Sequence, residues 1–191
     1  VGTIWRTLCS FPRPRCVRPA VLDGLQVKEQ ESIVFTLNRK ALLADKPNLE
    51  AMLTAMCRAA GGVQVLAPLR PDAAETVRPM VKDYPNFHII EPLGYLEFGY
   101  ITSNAKGIVT DSGNVAEEAT FNGVPCATLN SYTEHIETVK QGSNVLVGEN
   151  ADRLAEAVTD IVNGQWKRCS LPDRWDGRTA ERILKILIEL Q

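Results

Sequence analysis

The sequence of 191 residues is poor in the side chains that build metal and redox sites. It has two histidines, and its five cysteines never show the two-residue spacing of a zinc knuckle or a redox pair. The shortage of histidine also leaves no credible Ser-His-Asp set. An odd number of scattered thiols argues against a disulfide framework and favours a reducing compartment. We therefore expect no histidine-rich metal site and a cytoplasmic location.

Two further absences concern charge and hydrophobicity. The 21 basic and 23 acidic residues leave a net charge of −2, so no overall field attracts nucleic acid. No stretch approaches the roughly 18 unbroken apolar residues of a membrane-spanning helix. With 45% hydrophobic residues, the chain is nevertheless apolar enough to build a core. We expect a soluble globular domain that binds neither nucleic acid nor membrane.

The first 30 residues differ from the rest of the chain. Arginines alternate with prolines there, and no hydrophobic period lasts more than one turn. We interpret residues 1–30 as a linker or interdomain segment, and an anion-binding arm is the alternative. The chain starts at Val1 with neither an initiator Met nor a signal pattern. We therefore expect a fragment, or a protein whose start has been removed.

Residues 31–191 form the predicted domain, in which short apolar runs alternate with segments of helical period. The predicted strands are Ser32–Leu37, Val63–Pro68, Phe87–Glu91, Gly107–Thr110, Cys126–Leu129 and Asn144–Val147. The predicted helices are Asn48–Ala60, Asp72–Lys82, Tyr95–Asn104, Val115–Asn122, Glu134–Gln141, Ala151–Asn163 and Arg178–Leu190. Continuously apolar strands are typical of a parallel sheet covered on both faces. The sequence therefore predicts an α/β domain with a doubly wound, mostly parallel, Rossmann-like sheet.

In such a sheet, ligands bind at the carboxyl ends of the strands. The loop after the fourth predicted strand contains Ser112, Gly113 and Asn114. Gly113 permits a tight turn, and the following helix offers N–H groups that suit a phosphate or diphosphate, with the Ser112 hydroxyl as a further donor. Glu118 lies one turn into that helix, where it can accept bonds from sugar hydroxyls. The alternative is an ordinary turn in which Ser112 or Asn114 caps the helix.

Two other loops follow predicted strands at the same edge. After the fifth strand, Ser131 and Glu134 have the spacing of a capping box, and His135 comes next, early in the predicted helix. After the first strand, Arg39 and Lys40 are two cations that can neutralise a diphosphate. A surface histidine and solvated basic side chains are the ordinary alternatives.

Other candidate side chains lie on the helices that flank the fourth predicted strand. The helix before it carries Tyr95, Phe98 and Tyr100, for which core packing is the ordinary role and stacking on a nucleobase the alternative. The helix after it carries Glu117 and Glu118. Adjacent residues point to different faces of a helix, so we do not expect this pair to act as an acid/base dyad.

Six segments of the chain share a pattern with a known family. They are Gly94–Phe98, Thr110–Ala119, Asn122–Pro125, Thr133–Glu137, Gly142–Gly148 and Asp176–Ile183. Together they resemble the UDP-N-acetylglucosamine 2-epimerase family, most strongly from about residue 87 onward. The resemblance implies the second domain of a two-domain, glycosyltransferase-B type fold, which holds the UDP portion while the sugar lies between the domains. It also implies that this chain is the carboxyl-terminal half and that an amino-terminal domain is its partner.

The resemblance further implies an activity and roles for several residues. The family inverts C2 of UDP-GlcNAc to give UDP-ManNAc, by eliminating UDP to a 2-acetamidoglucal and adding it back, without a metal or cofactor. Ser112, Gly113 and Asn114 match the diphosphate loop, with Asn114 where a second glycine is usual. Glu118 matches the ribose-binding glutamate and Phe98 the aromatic residue at the uracil. The family suggests a homodimer, while the surface pattern leaves the oligomeric state open.

This sequence departs from the family at several positions. Where the family has His-Arg-Arg-Glu, the loop after the first strand reads Asn38-Arg39-Lys40-Ala41. Asn38 thus occupies the histidine position, and an amide cannot transfer a proton near neutral pH. Arg39 remains a candidate UDP ligand, while His135 stands where an arginine grips UDP and Leu93 where a glutamine meets the uracil. The family's catalytic acidic residues belong to the amino-terminal domain. We expect UDP-sugar binding without chemistry, and the alternatives are altered specificity or a non-catalytic nucleotide-sugar-binding module.

Overall fold

A computed structural model describes residues 16–25 and 27–190. Its strands are β1 (Ser32–Thr36), β2 (Gln64–Pro68), β3 (Phe87–Ile90), β4 (Gly107–Thr110), β5 (Cys126–Thr128) and β6 (Asn144–Leu146). Its helices are α1 (Val21–Leu25), α2 (Lys40–Ala44), α3 (Lys46–Ala60), α4 (Pro71–Val77), α5 (Tyr95–Ser103), α6 (Gly113–Asn122), α7 (Ile136–Lys140), α8 (Ala151–Asn163) and α9 (Thr179–Glu189). The first half of the predicted linker, residues 1–15, lies outside the described residues.

The strands form one sheet in the order β3-β2-β1-β4-β5-β6, and every pair is parallel. The six predicted strands are confirmed to within one residue at either end, and so is the doubly wound, Rossmann-like fold. The strand order reverses between β1 and β4. Strands β2 and β3 extend the sheet on one side of β1, and β4, β5 and β6 extend it on the other. This reversal opens a crevice at the carboxyl ends of the central strands.

The two faces of the sheet carry separate cores. All five residues of β1 are buried, and Ile33 and Phe35 join the larger core, which includes residues of α3 and α8. Val34 points to the opposite face and joins the smaller core. Alternation along the strand therefore supplies both cores from one segment. Full burial of a side chain such as Phe35 contributes about 1.5–3 kcal/mol of stability.

The smaller core also receives side chains from the segment that precedes the predicted domain. Leu22 of α1 and Val27 are 3% and 4% exposed, and both pack with residues of the sheet and of α5 and α6. Arg18 donates to the carbonyl oxygen of Val27 at 3.3 Å. A domain boundary at residues 30 and 31 remains a prediction.

Four predicted helix boundaries are wrong by two residues or more, among them the start of α3, which lies at Lys46 rather than Asn48, and sequence reasoning missed α1 and α2. Helix α4 ends at Val77 rather than Lys82, since Pro79 has no N–H to continue the helical ladder. Helix α6 begins two residues earlier than predicted, at Gly113.

The predicted capping box of Ser131 and Glu134 does not start a helix, because α7 begins only at Ile136, with His135 at the N-cap. His135 instead donates its backbone N–H to the Thr133 hydroxyl at 3.0 Å, and the Thr138 hydroxyl donates to the His135 carbonyl oxygen at 2.7 Å. These local bonds keep His135 outside the helix.

Gly142, in the turn before β6, has no room for a side chain. A Cβ at this position would lie 2.7 Å from the carbonyl oxygen of Thr138 and closer still to the side chain of Thr120. Thr120 also accepts the backbone N–H of Ser143 at 3.3 Å, inside the protein. This close approach positions β6 against α6 and α7.

Helix α9 presents apolar side chains to the surface. The exposed ones are Ile183, Leu184, Ile186, Leu187 and Ile188, followed by Leu190. A membrane-spanning helix is absent from the part of the chain that the structure describes. Among the same residues, no cluster of histidine, cysteine, aspartate or glutamate is arranged to hold a metal ion.

Candidate functional site

Buried hydroxyl groups join the carboxyl ends of the two central strands. The Thr36 and Thr110 hydroxyl oxygens lie 2.6 Å apart, at the ends of β1 and β4. The same Thr110 oxygen accepts the backbone N–H of Ser112 at 3.0 Å. The two loops that border the crevice therefore leave the sheet from a common, hydrogen-bonded base.

Asp111 holds these two loops together. Its Oδ2 accepts the backbone N–H groups of Asn38 at 2.7 Å and Arg39 at 2.6 Å. The residue is only 6% exposed, and its other oxygen, Oδ1, is buried without a hydrogen-bond partner among the described residues. The backbone of the β1 loop, including Asn38, is thus fixed by a carboxylate from the β4 loop.

The Arg39 side chain crosses the crevice toward the loops after β5 and β6. Its Nη1 lies 2.7 Å from Oδ1 of Asn130 and 3.0 Å from a carboxylate oxygen of Glu149. Asn130 in turn donates to the backbone carbonyl oxygen of Asp111 at 3.2 Å. Part of the Arg39 charge is therefore balanced within the protein, and a role for Arg39 in UDP binding remains a prediction.

The amino end of α6 opens into this crevice. Gly113 is the first helical residue and Ser112 is the N-cap, whose side chain forms no capping hydrogen bond within the described residues. The alternative in which the Ser112 hydroxyl caps the helix is therefore wrong, and Asn114 lies exposed inside the first turn. The first N–H groups of a helix have no acceptor within it, and they attract anions together with the helix dipole.

His135 lies directly against this helix end. A Cβ on Gly113 would be 3.2 Å from the His135 Cδ2 and 3.6 Å from its Nε2. The other ring nitrogen, Nδ1, lies 3.2 Å from Oε1 of Glu117, whose side chain is 9% exposed against 34% for the imidazole. The structure thus brings together Gly113 and His135, two predicted site residues from different loops.

Glu118, next to Glu117 on α6, is half-buried. Burial raises the pKa of Glu118 above its ordinary value, and the nearby Glu117 carboxylate raises it further. An acidic side chain in this environment gains when hydroxyl groups donate to it, because they replace lost solvation. Its role as a ribose ligand remains a prediction.

Phe98 lies on α5, which packs against α6. The ring is partly buried against the smaller core, as is Tyr100, whereas Tyr95 is 53% exposed. The core-packing alternative therefore describes Phe98 and Tyr100 better than Tyr95. Contact of Phe98 with a uracil ring remains a prediction.

Several residues at the site were missed as site residues by sequence reasoning. Asp111 directly follows β4 and Asn130 lies two residues after β5, so their position after a strand was an available signal. Arg70 follows β2 and donates from Nη2 to the carbonyl oxygen of Asn38 at 3.3 Å, which places a further cation at the crevice. Glu149 also follows a strand, β6, but its pairing with Arg39 depends on the fold.

Comparison with known proteins identifies the family. A sequence model described as UDP-N-acetylglucosamine 2-epimerase matches residues 13–188. The chain belongs to this family. A UDP-N-acetylglucosamine 2-epimerase homolog from Methanococcus maripaludis is 36% identical over 144 residues, which are 73% of this chain and 40% of that protein. The UDP-N-acetylglucosamine 2-epimerase of Methanocaldococcus jannaschii is 45% identical over 109 residues, 56% of this chain and 29% of that protein.

A solved structure of the family shares the fold. The crystal structure of the M. jannaschii UDP-GlcNAc 2-epimerase in complex with UDP-GlcNAc and UDP superposes with a TM-score of 0.75 at 29% identity, covering 99% of this chain and 54% of that chain. The predicted resemblance is thereby confirmed. This chain spans about half the length of that structure and less of the two relatives, so the activity of a whole family member is a matter for proposal here.

Proposed function

We propose that this chain is the UDP-binding half of a protein like the UDP-N-acetylglucosamine 2-epimerases, with UDP in the crevice at the carboxyl ends of β1, β4 and β5. One observation carries this proposal: the His135 ring lies against the amino end of α6 at the switch point of the sheet, so close that a Cβ added to Gly113 would be 3.2 Å from the ring. The amino end of α6 attracts an anion of the size of a diphosphate, and His135 does so once its ring is protonated. The complex of the M. jannaschii relative with UDP-GlcNAc and UDP supports the same ligand class.

Within this proposal, each site residue has a distinct task. The N–H groups of Gly113 and Asn114 bind the diphosphate together with the Ser112 hydroxyl, since the Ser112 N–H donates to Thr110, and Glu118 accepts hydrogen bonds from the ribose hydroxyls. Phe98 lies at the uracil. Arg39 adds positive charge beside the diphosphate, because its guanidinium has donors beyond the nitrogen that Asn130 and Glu149 engage.

The proposed reaction requires an amino-terminal domain as well. A base of that domain removes the proton from C2 while the bond from C1 to the diphosphate oxygen breaks, and the reverse steps on the other face invert C2. Negative charge then builds on the departing UDP, where the α6 end and His135 stabilise it. Asn38 hydrogen-bonds at the sugar but transfers no proton, so we propose that this chain alone binds UDP-sugars and performs no chemistry.

A second candidate is a nucleotide-sugar-binding module without this activity or with altered specificity. It is favoured by Asn38, whose backbone is fixed by Asp111 where the family has a histidine. Assays of several UDP-sugars with an amino-terminal domain supplied, in wild type and in Asn38→His, separate the two. Activity gained only in Asn38→His would favour the binding module.

The exposed apolar face of α9 bears on the partners of this chain. We propose that an amino-terminal domain covers it in the complete protein, since the matched structure is about twice as long as this chain. A homodimer through the same face is the alternative. Sedimentation velocity of the chain and of Leu187→Glu tests whether the α9 face lacks a partner in this chain. Such an apolar surface should self-associate weakly in wild type and less in the variant.

Calorimetric titration tests the nucleotide site directly. We expect the chain to bind UDP and UDP-GlcNAc more tightly than ADP, and Glu118→Ala to weaken binding about tenfold, the effect of losing a hydrogen bond to a charged group. Glu156→Ala, on the exposed side of α8, is the matched control and should bind as wild type. Equal, very weak binding of all three nucleotides would refute the proposal.

A further inference from the structure

We propose that His135 takes up a proton when a diphosphate binds at α6, and that Glu117 is the positioning residue that prepares the imidazole for this. The inference rests on the proposed function, because it takes the diphosphate of a UDP-sugar as the ligand. It adds a proton to the binding reaction and gives a role to Glu117, a nearly buried carboxylate that the nucleotide site does not otherwise use.

The geometry favours hydrogen on one of the two ring nitrogens. Oε1 of Glu117 lies 3.2 Å from Nδ1 of His135, so the tautomer with its hydrogen on Nδ1 directs that hydrogen toward the carboxylate. In the neutral imidazole only one nitrogen is protonated, and Nε2 then carries a lone pair. The Nε2 side of the ring is the one that faces the α6 end at Gly113.

This arrangement is unsuited to a diphosphate until the ring is protonated. A lone pair at Nε2 opposes the phosphate oxygens, whereas a proton from solvent converts Nε2 into a charged donor to them. The Glu117 carboxylate, held at Nδ1 with little solvent around it, stabilises the positive ring from the other side. The arginine of the family supplies a permanent charge at this position, while His135 acquires its charge together with the ligand.

Other charged groups lie on the elements around His135. They are Glu118 on α6, Asp111 after β4, Arg39 after β1, and Glu134 and Glu137 on its own segment. Four of these five are acidic, and Arg39 is already paired with Glu149 at 3.0 Å. An arriving diphosphate brings further negative charge to the Nε2 side of the ring, which a proton on Nε2 balances.

Calorimetry in buffers of different ionisation enthalpy measures the proton directly. UDP-GlcNAc is the probe, since its diphosphate has no terminal phosphate that titrates near neutrality. At about pH 7.5, above the ordinary range of imidazole, we expect wild type to take up a proton on binding. His135→Arg should bind without uptake and keep its affinity as the pH rises, while His135→Gln should bind about tenfold more weakly, also without uptake.

Glu117→Gln distinguishes positioning from mere packing. It keeps the size of the side chain and an acceptor for Nδ1–H, but it removes the charge that stabilises imidazolium, so proton uptake should fall. Nitrogen chemical shifts of the His135 ring should still report the Nδ1–H form in wild type and lose that preference in Glu117→Leu. Glu156→Gln is the control and should match wild type in uptake.

The outcomes separate this inference from the proposed function. Binding of UDP-GlcNAc without proton uptake, or equal uptake in wild type and His135→Arg, would overturn this inference and leave the nucleotide site intact. An absence of binding at every pH would overturn both. Uptake that persists in Glu117→Gln, with an unchanged tautomer in Glu117→Leu, would remove Glu117 from the account.

Discussion

Replacing Asp111 by alanine should destabilise the protein through two backbone groups. The Asp111 Oδ2 accepts the N–H of Asn38 at 2.7 Å and that of Arg39 at 2.6 Å, and the alanine variant leaves both without an acceptor. An unsatisfied buried donor costs about 1–3 kcal/mol. Because these two N–H groups are only partly buried, we expect a total loss of about 2–4 kcal/mol in the free energy of unfolding.

Asp111→Asn is the matched control. Its amide oxygen still accepts both N–H groups, and its NH₂ group takes the place of Oδ1, which has no partner among the described residues. The asparagine variant should therefore lose less than half as much stability as the alanine variant. Only the charge assistance to the two bonds is lost.

Urea unfolding measures both losses, and amide hydrogen exchange locates them. A loss of about 2–4 kcal/mol corresponds to a fall of roughly 5–15 °C in the melting temperature of a protein of this size. Exchange at Asn38 and Arg39 should accelerate in Asp111→Ala and change little in Asp111→Asn. The reasoning is refuted if alanine and asparagine cost the same, or if exchange at these two amides is unaffected.

Three further predictions concern stability and reactivity. Burial and a neighbouring carboxylate raise the pKa of Glu118 in the folded protein. Protonated Glu118 therefore stabilises the fold in acid, and this contribution is lost as the pH rises and the side chain ionises. Glu118→Gln should unfold at higher urea than wild type at neutral pH, and the difference should vanish below about pH 4. Gly142→Ala should lose about 1–3 kcal/mol by overpacking, whereas Gly62→Ala, with nothing within 4 Å of its new methyl group, should unfold as wild type within about 0.5 kcal/mol. Burial raises the pKa of Cys126 to about 12, whereas Cys169 is exposed. Iodoacetamide at about pH 8 should therefore modify Cys169 and spare Cys126, as measured by peptide mass spectrometry. Labelling of both cysteines at the same rate would contradict this.

The architecture of the sheet was predictable because its signals are local. Each strand is a short apolar run, and the six runs alternate with helical segments, which suffices for a parallel, doubly wound sheet. The rule that ligands bind after the strands then selected the loops of Asn38, Ser112 and His135 correctly as neighbours in space. Helix α2, by contrast, is five residues long and carries no period that a sequence pattern can reveal.

The contacts within the site were beyond prediction because they depend on distant loops. The pairing of Arg39 with Glu149 joins residues 110 positions apart, counted as 149 minus 39. The spacing of Ser131 and Glu134 suggested a capping box, yet the Thr133 and Thr138 hydroxyls compete for the same backbone and delay the helix to Ile136. Local sequence patterns identify the loops that border the site, whereas tertiary contacts determine which side chains come into contact.

Mapping UDP onto the backbone amides is the most direct test of a nucleotide site at the switch point. In amide nitrogen–hydrogen spectra of the whole chain, we predict that UDP shifts the signals of Gly113, Asn114 and Glu118 and leaves those of Gly62 and Asn86, at the opposite edge of the sheet, in place. Shifts confined to that opposite edge, or no shift at millimolar UDP, would contradict the account.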